Sequence, residues 1–239
     1  MKFGKAKIDI MAVEAGSFCS VVYCFTALHP IDDTGYVKVV FRFAGDFGVP
    51  QFKYPQEANY CTISTNSDCR IEPRWDYKGH TRPWCKSLYL KVVGGFLNAG
   101  ETITVAFGDQ SRGSPGWQMQ SFCEKTFKFK TFVDPFATYQ FKEIKKSPTL
   151  KIIPGKPVRA ICIAPSQIKK SEKFEYFIRL EDKWGNSVKK AYRKAHSGFK
   201  AAGIFKISRN CANGTRNIDC GGLQAAGSNV VFDGRRIGS

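Results

Sequence analysis

The chain has 239 residues, 43% of them hydrophobic, which is enough for one sizeable domain or two smaller ones. Its formal net charge of +17 raises nucleic acid or an anionic membrane as a partner, but 10 of the basic and only 2 of the acidic residues lie between Lys189 and Ser239. No apolar run reaches the roughly 18 residues of a membrane span. Elsewhere lysines alternate with apolar residues, as on a solvated strand face. We therefore expect neither nucleic acid nor a membrane as a partner.

The sequence predicts short β-strands up to about Leu180. The clearest is Tyr36–Ala44, where apolar residues share one face and Lys38 and Arg42 share the other, a pattern typical of a half-buried strand. Further strands are predicted at 17–27, 60–65, 69–74, 87–93, 101–107, 118–133, 159–164 and 173–180. The pair 87–93 and 101–107 is a hairpin candidate, because Asn98-Ala99-Gly100 joins them. No amphipathic helix intervenes, which favours an antiparallel β-sandwich.

The domain organisation follows from where these patterns change. SPTLKIIPGKP (Ser147–Pro157) has prolines at both ends and indicates an extended linker. We predict an all-β fold with a β-sandwich-like domain at 1–146, a partial immunoglobulin-like module at 147–188, and a basic, glycine-rich tail at 189–239 that is poorly ordered or altered. An immunoglobulin-like sandwich needs about seven strands, and 150–186 supplies about three. A fragment, a frameshifted product and a natural short form all stay open.

The cysteines indicate a reducing compartment. The nine cysteines cannot all pair, and several lie within strand patterns, where a free cysteine behaves as a small apolar residue. The first residues lack the apolar core of about 7–15 residues that a signal peptide needs. We therefore expect reduced, mostly buried thiols and a cytoplasmic location.

Several unusual stretches resemble one protein family. They are FRFAGDFGVPQF (Phe41–Phe52), ANYCTIST (Ala58–Thr65), EPRWDYKGHTRPW (Glu72–Trp84), GETITVAFGD (Gly100–Asp109), SPGWQMQSFCE (Ser114–Glu124) and VDPFATYQF (Val133–Phe141). In order and without large gaps, they resemble the N-terminal region of bacterial proteins in the domain of unknown function 3604 family. The resemblance covers roughly 14–186. The part with EDKWGN (Glu181–Asn186) is similar to the bacterial immunoglobulin-like modules that follow the first domain in that family.

The resemblance also implies a C-terminal metal-dependent domain, similar to the polymerase-and-histidinol-phosphatase class of phosphoesterases, which opens with a His-x-His motif. This chain has three isolated histidines, His29, His80 and His196, and no such motif. No catalytic residue can therefore be carried over. The implied partner is a missing C-terminal hydrolase domain of the same polypeptide.

Metal ligands are not grouped in the sequence. The aspartates and His80 are scattered, whereas a metal centre needs several ligands that converge. Cys19 and Cys24 are five residues apart and fall on opposite sides of a predicted strand. Cys61 and Cys69 flank a turn and could meet, but a reduced structural pair is the simpler interpretation. We expect no metal and no cofactor.

The segment WDYKGHTRPW (Trp75–Trp84) is the best candidate site. Its mixture of aromatic and basic residues suits recognition of a sugar, a nucleotide or a carboxylate. Two other interpretations stay open: an ordered loop held by two buried tryptophans, and a docking surface for the hydrolase domain. The candidate ligand or domain-contact residues are Arg74, Trp75, His80, Arg82 and Trp84.

The function expected from the sequence is a non-catalytic accessory β domain that supports or positions a C-terminal hydrolase domain. The alternative is a stand-alone carbohydrate- or anion-binding β-sandwich module. An enzyme in its own right is disfavoured, because no nucleophile, base or metal ligand can be placed. GDQSRGSPG (Gly108–Gly116) suggests either a long strand connection or an anion-binding nest. The oligomeric state stays open.

Overall fold

The computed structural model describes residues 3–163, 177–188, 223–226 and 229–230. The chain divides into two compact units, Met1–Ile153 and Pro154–Ser239. The described residues form β-strands and turns and no α-helix, so the all-β, sandwich-like prediction is confirmed. Among them, no helix has the length and apolar character needed to cross a membrane.

The strands of the first unit are short and follow one another closely. They are β1 (Gly4–Ile8), β2 (Ala12–Glu14), β3 (Phe18–Cys19), β4 (Val21–Ala27), β5 (Tyr36–Phe41), β6 (Cys61–Thr65), β7 (Arg70–Asp76), β8 (Lys86–Val93), β9 (Thr102–Phe107), β10 (Trp117–Gln118), β11 (Glu124–Lys128), β12 (Lys130–Asp134), β13 (Lys142–Glu143) and β14 (Thr149–Ile153).

Two larger antiparallel sheets dominate this unit. One has the order β1-β4-β9-β6 and the other the order β13-β12-β5-β8-β7. A three-stranded sheet, β11-β14-β2, and the pair β10-β3 complete the unit. Strands β14 and β2 run parallel, whereas β11 is antiparallel to β14 and β10 is antiparallel to β3.

The core lies between the inward faces of the two larger sheets. Alternate residues of β4 and β9 and of β5 and β8 join one buried apolar cluster, which is how two sheets form a sandwich. Phe41 of β5 is fully buried there. Its ring centroid lies 5.3–6.1 Å from those of Phe47, Trp75, Phe107, Trp117, Phe127 and Phe129. Aromatic packing therefore accounts for much of this core.

Strand β5 is buried on both faces, so the expectation of a half-buried strand was wrong. Val37, Val39 and Phe41 face the core as predicted, but Lys38, on the opposite face, is only 3% exposed. Alternation of residue types shows which side chains share a face. It does not show whether a loop covers the polar face, as happens here.

The predicted hairpin between 87–93 and 101–107 was also wrong. Strand β8 belongs to the five-stranded sheet and β9 to the four-stranded sheet. Leu97, in the connection, is fully buried and exchanges backbone hydrogen bonds of 2.9 and 3.0 Å with Ile31. The connection therefore passes from one layer of the sandwich to the other.

The first unit extends beyond the predicted boundary at residue 146. Strand β14, within the predicted linker, pairs with β11 and β2, and its Leu150 and Ile152 are buried. The unit therefore ends at Ile153. The prolines of SPTLKIIPGKP therefore flank strand β14 of the first unit.

The second unit contains a four-stranded sheet. Its strands are β15 (Arg159–Ile163), β16 (Phe177–Glu181), β17 (Leu223–Ala226) and β18 (Asn229–Val230), in the order β16-β15-β17-β18. The predicted strands near 159–164 and 173–180 are present in their described parts. The predicted tail, 189–239, lies outside the described residues apart from β17 and β18. The immunoglobulin-like assignment stays a prediction.

Candidate functional site

The loop between β7 and β8, residues 77–85, lies across the outer face of the five-stranded sheet. The carbonyl of Gly79 accepts hydrogen bonds from Lys38 Nζ at 3.2 Å and from the Tyr89 hydroxyl at 2.6 Å. Farther along, the backbone N–H of Phe43 donates to the carbonyl of Pro83 at 2.9 Å. The loop therefore lies over β8, a strand of its own hairpin, and over the neighbouring strand β5. We call it the covering loop.

Beneath the covering loop, Lys38 is enclosed by aromatic rings. Its Nζ lies 3.6 Å from the ring centroid of Phe141, 5.2 Å from that of Tyr89 and 5.9 Å from that of Phe132. His80 Nδ1 lies 3.4 Å from Nζ. We call these five residues the Lys38 cluster. Cation–π contacts and two hydrogen-bond partners compensate for removing the ammonium group from water.

Electrostatics in the Lys38 cluster reflect this burial. Burial lowers the pKa of Lys38 to about 8, although Asp134 and Asp76 act in the opposite direction. The pKa of His80 is lowered as well, first by burial and then by the positive charges of Lys38 and Lys130. A neutral His80 therefore meets a largely protonated Lys38 at neutral pH, and its Nδ1 can accept a hydrogen bond.

The structure separates Arg74 from Trp75, although they are neighbours in the sequence. Arg74 lies on the outer face, 4.3 Å from the Tyr89 ring centroid, and forms a 3.0 Å ion pair with Asp76. Trp75 points to the opposite face and packs against Phe41 at 6.1 Å. Its indole N–H is buried and has no hydrogen-bond partner. The Trp75 ring is partly buried and packs against the core cluster, and the suggestion that it contacts a ligand stays a prediction.

The other three predicted residues lie along the covering loop. His80 packs against Phe132 at 4.6 Å, within the Lys38 cluster. Arg82 lies 5.0 Å from the ring centroid of Phe43. Trp84 has two cations over its ring, Arg42 and Lys130, each 5.3 Å from the centroid. The predicted set is therefore divided among three places. Trp75 packs against the core, Arg74 and His80 lie on the outer face at or beside the Lys38 cluster, and Arg82 and Trp84 lie at the Trp84 end of the loop.

A shallow cleft opens at the Trp84 end. We call it the Trp84 cleft, and it is lined by Arg42, Phe47, Trp84, Gln120, Glu124, Phe127 and Lys128. Arg42 and Glu124 form an ion pair at 3.5 Å across it. Gln120 Nε2 donates a 3.2 Å hydrogen bond to Glu124. Of these lining residues, only Trp84 was in the predicted set. The others come from strands and turns far away in the sequence.

The described residues hold no group of three or more His, Cys, Asp or Glu placed to bind a metal ion. Cys19 and Cys24 lie on different strands, β3 and β4. Burial raises the pKa of Cys19 to about 11 and that of Cys61 to about 12. Both thiols therefore stay protonated near neutral pH and are poor nucleophiles.

Residues 108–116 form an ordered connection between β9 and β10. Ser114 Oγ donates to the Glu57 carbonyl at 2.8 Å, and Gln110 Nε2 donates to the Pro115 carbonyl at 2.8 Å. Gly108 has a φ of +71°, and an added Cβ would lie 2.0 Å from the backbone nitrogen of Trp117. Tight backbone packing explains the glycine at that position.

Comparisons with known proteins give little further information. No protein-family model matches the chain, and no curated protein matches it. Among solved structures, it is similar to one titled "AvmM Catalyzes Macrocyclization in Alchivemycin A Biosynthesis", with 10% sequence identity and a TM-score of 0.32. That match covers 65% of this chain and 93% of the other. A likeness this distant supports no argument about function, and the resemblance to the domain of unknown function 3604 family stays a prediction.

Proposed function

We propose that the first unit is a non-catalytic accessory β domain that makes its contacts through the Trp84 end of the covering loop. The observation that carries this proposal is the group of stacked cations and rings there. Arg42 and Lys130 lie over Trp84, and Arg82 lies over Phe43, which is 48% exposed. Aromatic and arginine side chains are the types that contribute most to binding at protein interfaces.

The order of this surface supports a binding role. Phe43 is bonded through its backbone to Pro83, and the Trp84 N–H donates to the Thr81 carbonyl at 3.0 Å. A preorganised surface loses less conformational entropy on binding than a flexible one. The sequence resemblance suggests the partner, a metal-dependent hydrolase domain of the same polypeptide that this domain supports or positions.

The experiment starts at the genomic locus. A reading frame that continues beyond Ser239 into a domain with a His-x-His motif is expected. That domain, expressed separately, should bind the purified chain, and Trp84→Ala and Arg82→Ala should each weaken the complex about tenfold or more. Tyr54→Ala is the matched control, because Tyr54 is 63% exposed and absent from this surface.

Three results would count against this proposal. A stop codon directly after residue 239 would remove the expected partner. Equal binding by the Trp84→Ala, Arg82→Ala and Tyr54→Ala variants would exclude this surface. Phosphoesterase activity of the purified chain that persists after chelation would contradict a non-catalytic role.

A second candidate, a stand-alone carbohydrate- or anion-binding module, is favoured by one specific observation. The Trp84 cleft places a guanidinium, an indole ring, a carboxylate and an amide around one small opening. This set of groups suits a polar ligand that also has an apolar face. The same surface then contacts a small molecule instead of a domain.

A reducing, cytoplasmic location is part of the proposal. It is supported by Cys61 and Cys69, which are buried free thiols. Buried thiols of this kind behave as small apolar residues and suit a compartment that keeps them reduced.

A further inference from the structure

The segment that follows β13 runs beside β12 and carries lysines on a fixed backbone. The Ile144 N–H donates to the Thr131 carbonyl at 3.1 Å, and the Thr131 N–H donates to Ser147 Oγ at 3.0 Å. Ile144 and Ser147 are 5% and 7% exposed. Lys145 and Lys146, which lie between them, are exposed. The two lysines therefore lie on a segment that is anchored on both sides.

More lysines lie next to this pair, on β11, β12 and β13. Lys128 and Lys130 pair with Glu143 at 3.4 and 3.3 Å, and Lys142 is exposed on β13. Together they form a set that we call the lysine ridge: Lys128, Lys130, Lys142, Glu143, Lys145 and Lys146. Among the residues that the structure describes, the other three lysines of the ridge take part in no ion pair. Since Glu143 is the one carboxylate of the ridge, most of its positive charge is uncompensated.

The lysine ridge is continuous with the Trp84 end of the covering loop. Lys130 Nζ lies 5.3 Å from the Trp84 ring centroid, and Arg42 lies at the same distance from that ring. Farther along, Arg82 is exposed and lies 5.0 Å from the centroid of the exposed Phe43 ring. The lysines of the ridge and the arginine–aromatic pairs of the loop thus form one basic surface with apolar spots.

This surface favours an acidic protein over a nucleic acid as the partner. Two cations already lie over the Trp84 ring, so the ring is not free to stack on a base. Glu143 and Glu124 are held within the surface by ion pairs, and they repel a continuous row of phosphates. A protein has both signs of charge and can place its acidic residues opposite the lysines alone. A second copy of the chain is disfavoured, because two lysine ridges repel each other.

We propose that the lysine ridge is a docking surface for an acidic segment of a protein partner. The inference rests on the proposed function, because it assigns a chemistry to the part of the partner that lies beside the Trp84 end. Charge attraction of this kind speeds association and selects the partner, whereas aromatic and arginine contacts at the Trp84 end contribute more of the affinity.

The first test is a titration of the full chain with a synthetic peptide, followed by nuclear magnetic resonance at low salt. The peptide has capped ends and alternates glutamate with serine. The other probes are its lysine counterpart, a single-stranded oligothymidylate of equal charge, and phosphatidylserine vesicles. We expect the acidic peptide to shift the backbone resonances of Lys145 and Lys146 and to bind more tightly than every other probe. Its affinity should fall about tenfold as the salt concentration rises from about 0.05 to about 0.3 M, because the lysines are exposed.

Matched variants locate the site. Lys145→Glu combined with Lys146→Glu should weaken peptide binding about tenfold or more, since two attractive charges become repulsive. Lys5→Glu with Lys7→Glu is the control, because both lysines are exposed on β1, which is also a terminal strand, and the net charge changes equally. Lys145→Arg with Lys146→Arg keeps both charges and should retain the affinity. A thermal melt of each variant shows that it is folded.

Three results would overturn the inference. They are thymidylate or vesicle binding at least as tight as that of the acidic peptide, equal weakening in the ridge variant and the β1 variant, and no peptide binding at millimolar concentration. The separately expressed hydrolase domain is tested with the same variants. If that domain binds through Trp84 but is unaffected by Lys145→Glu with Lys146→Glu, the inference fails and the proposed function stands. If the acidic peptide binds the ridge but the domain does not bind, the proposed function fails alone.

Discussion

The two faces of the five-stranded sheet bury side chains by different physical means. On the inner face, Phe41 packs among aromatic rings, and the apolar surface removed from water supplies the stabilisation. On the outer face, Lys38 is almost as deeply buried, but it carries a charge that needs the Gly79 carbonyl and aromatic faces around it. The comparison shows that burial alone does not measure stabilisation, since removing a charge from water also has an unfavourable part.

The largest effect is expected on the inner face, from Phe41→Ala. The substitution removes a fully buried ring and leaves a cavity among neighbours that cannot all move inward. We expect the free energy of unfolding to fall by about 3–5 kcal/mol. Urea denaturation followed by tryptophan fluorescence measures this change.

Phe43→Ala is the control for that experiment. Phe43 lies two residues farther along the same chain segment but is 48% exposed, and it contacts Arg82. We expect a loss of about 1 kcal/mol or less, from one exposed cation–π contact. Equal losses from the two variants would show that the aromatic cluster does not stabilise the unit as described.

The sequence predicts the inner face of this sheet well and the outer face poorly. The period of two in β5 assigns Val37, Val39 and Phe41 to one side, because alternation is a local property of a strand. The cover over Lys38 depends on Gly79 and His80, some forty residues away, and no local pattern encodes such a contact.

At the candidate site, too, local sequence patterns predict only part of the structure. The predicted strand stopped at Arg74, whereas β7 continues to Asp76. Extending the alternation by one residue would have placed Trp75 on the core side, so a sequence signal existed there. The Trp84 cleft had no such signal, because Arg42, Trp84 and Glu124 meet only after three separate segments have folded.

The second prediction concerns Lys38 and alkaline pH. Its pKa is about 8 in the folded protein and near 10.5 ordinarily, so between these values the unfolded chain binds the extra proton. The free energy of unfolding of the wild type, relative to Lys38→Met, should therefore rise as pH increases from 8 to 10.5. We expect a rise of about 1–2 kcal/mol, less than the whole pKa shift corresponds to, because the cluster lies near solvent.

The free energy of unfolding of Lys38→Met has to be subtracted from that of the wild type, because other groups also titrate in this pH range. The raised pKa values of Cys19 and Cys61 mean that the folded state keeps protons that the unfolded chain loses above about pH 9. This effect lowers stability as pH rises, but it is the same in both proteins and cancels. Urea denaturation at pH 7.5, 9 and 10.5 provides the data. A flat difference would show that Lys38 is not held in a desolvated, aromatic environment.

The smallest expected effect is a loss of stability at mildly acid pH, caused by protonation of His80. The folded protein holds the pKa of His80 below its ordinary value of 6.5, through burial and the charges of Lys38 and Lys130, with Glu143 opposing them. Below pH 6.5 the unfolded chain therefore binds more protons than the folded one, and stability should fall as the pH falls.

The covering loop should loosen first, since a protonated His80 can no longer accept a hydrogen bond from Lys38. Comparing urea denaturation of the wild type and His80→Gln at pH 7.5 and 5.0 isolates this contribution, because groups that the two proteins share contribute alike to both. The pKa of the nearby Asp76 is lowered, first by the hydrogen bond from the Lys78 backbone, so its carboxylate stays ionised in this range. We expect the wild type to lose up to about 1 kcal/mol relative to the variant. An unchanged difference between the two pH values would mean that His80 is not confined against Lys38, and that the covering loop is held by the Gly79 and Pro83 carbonyls alone.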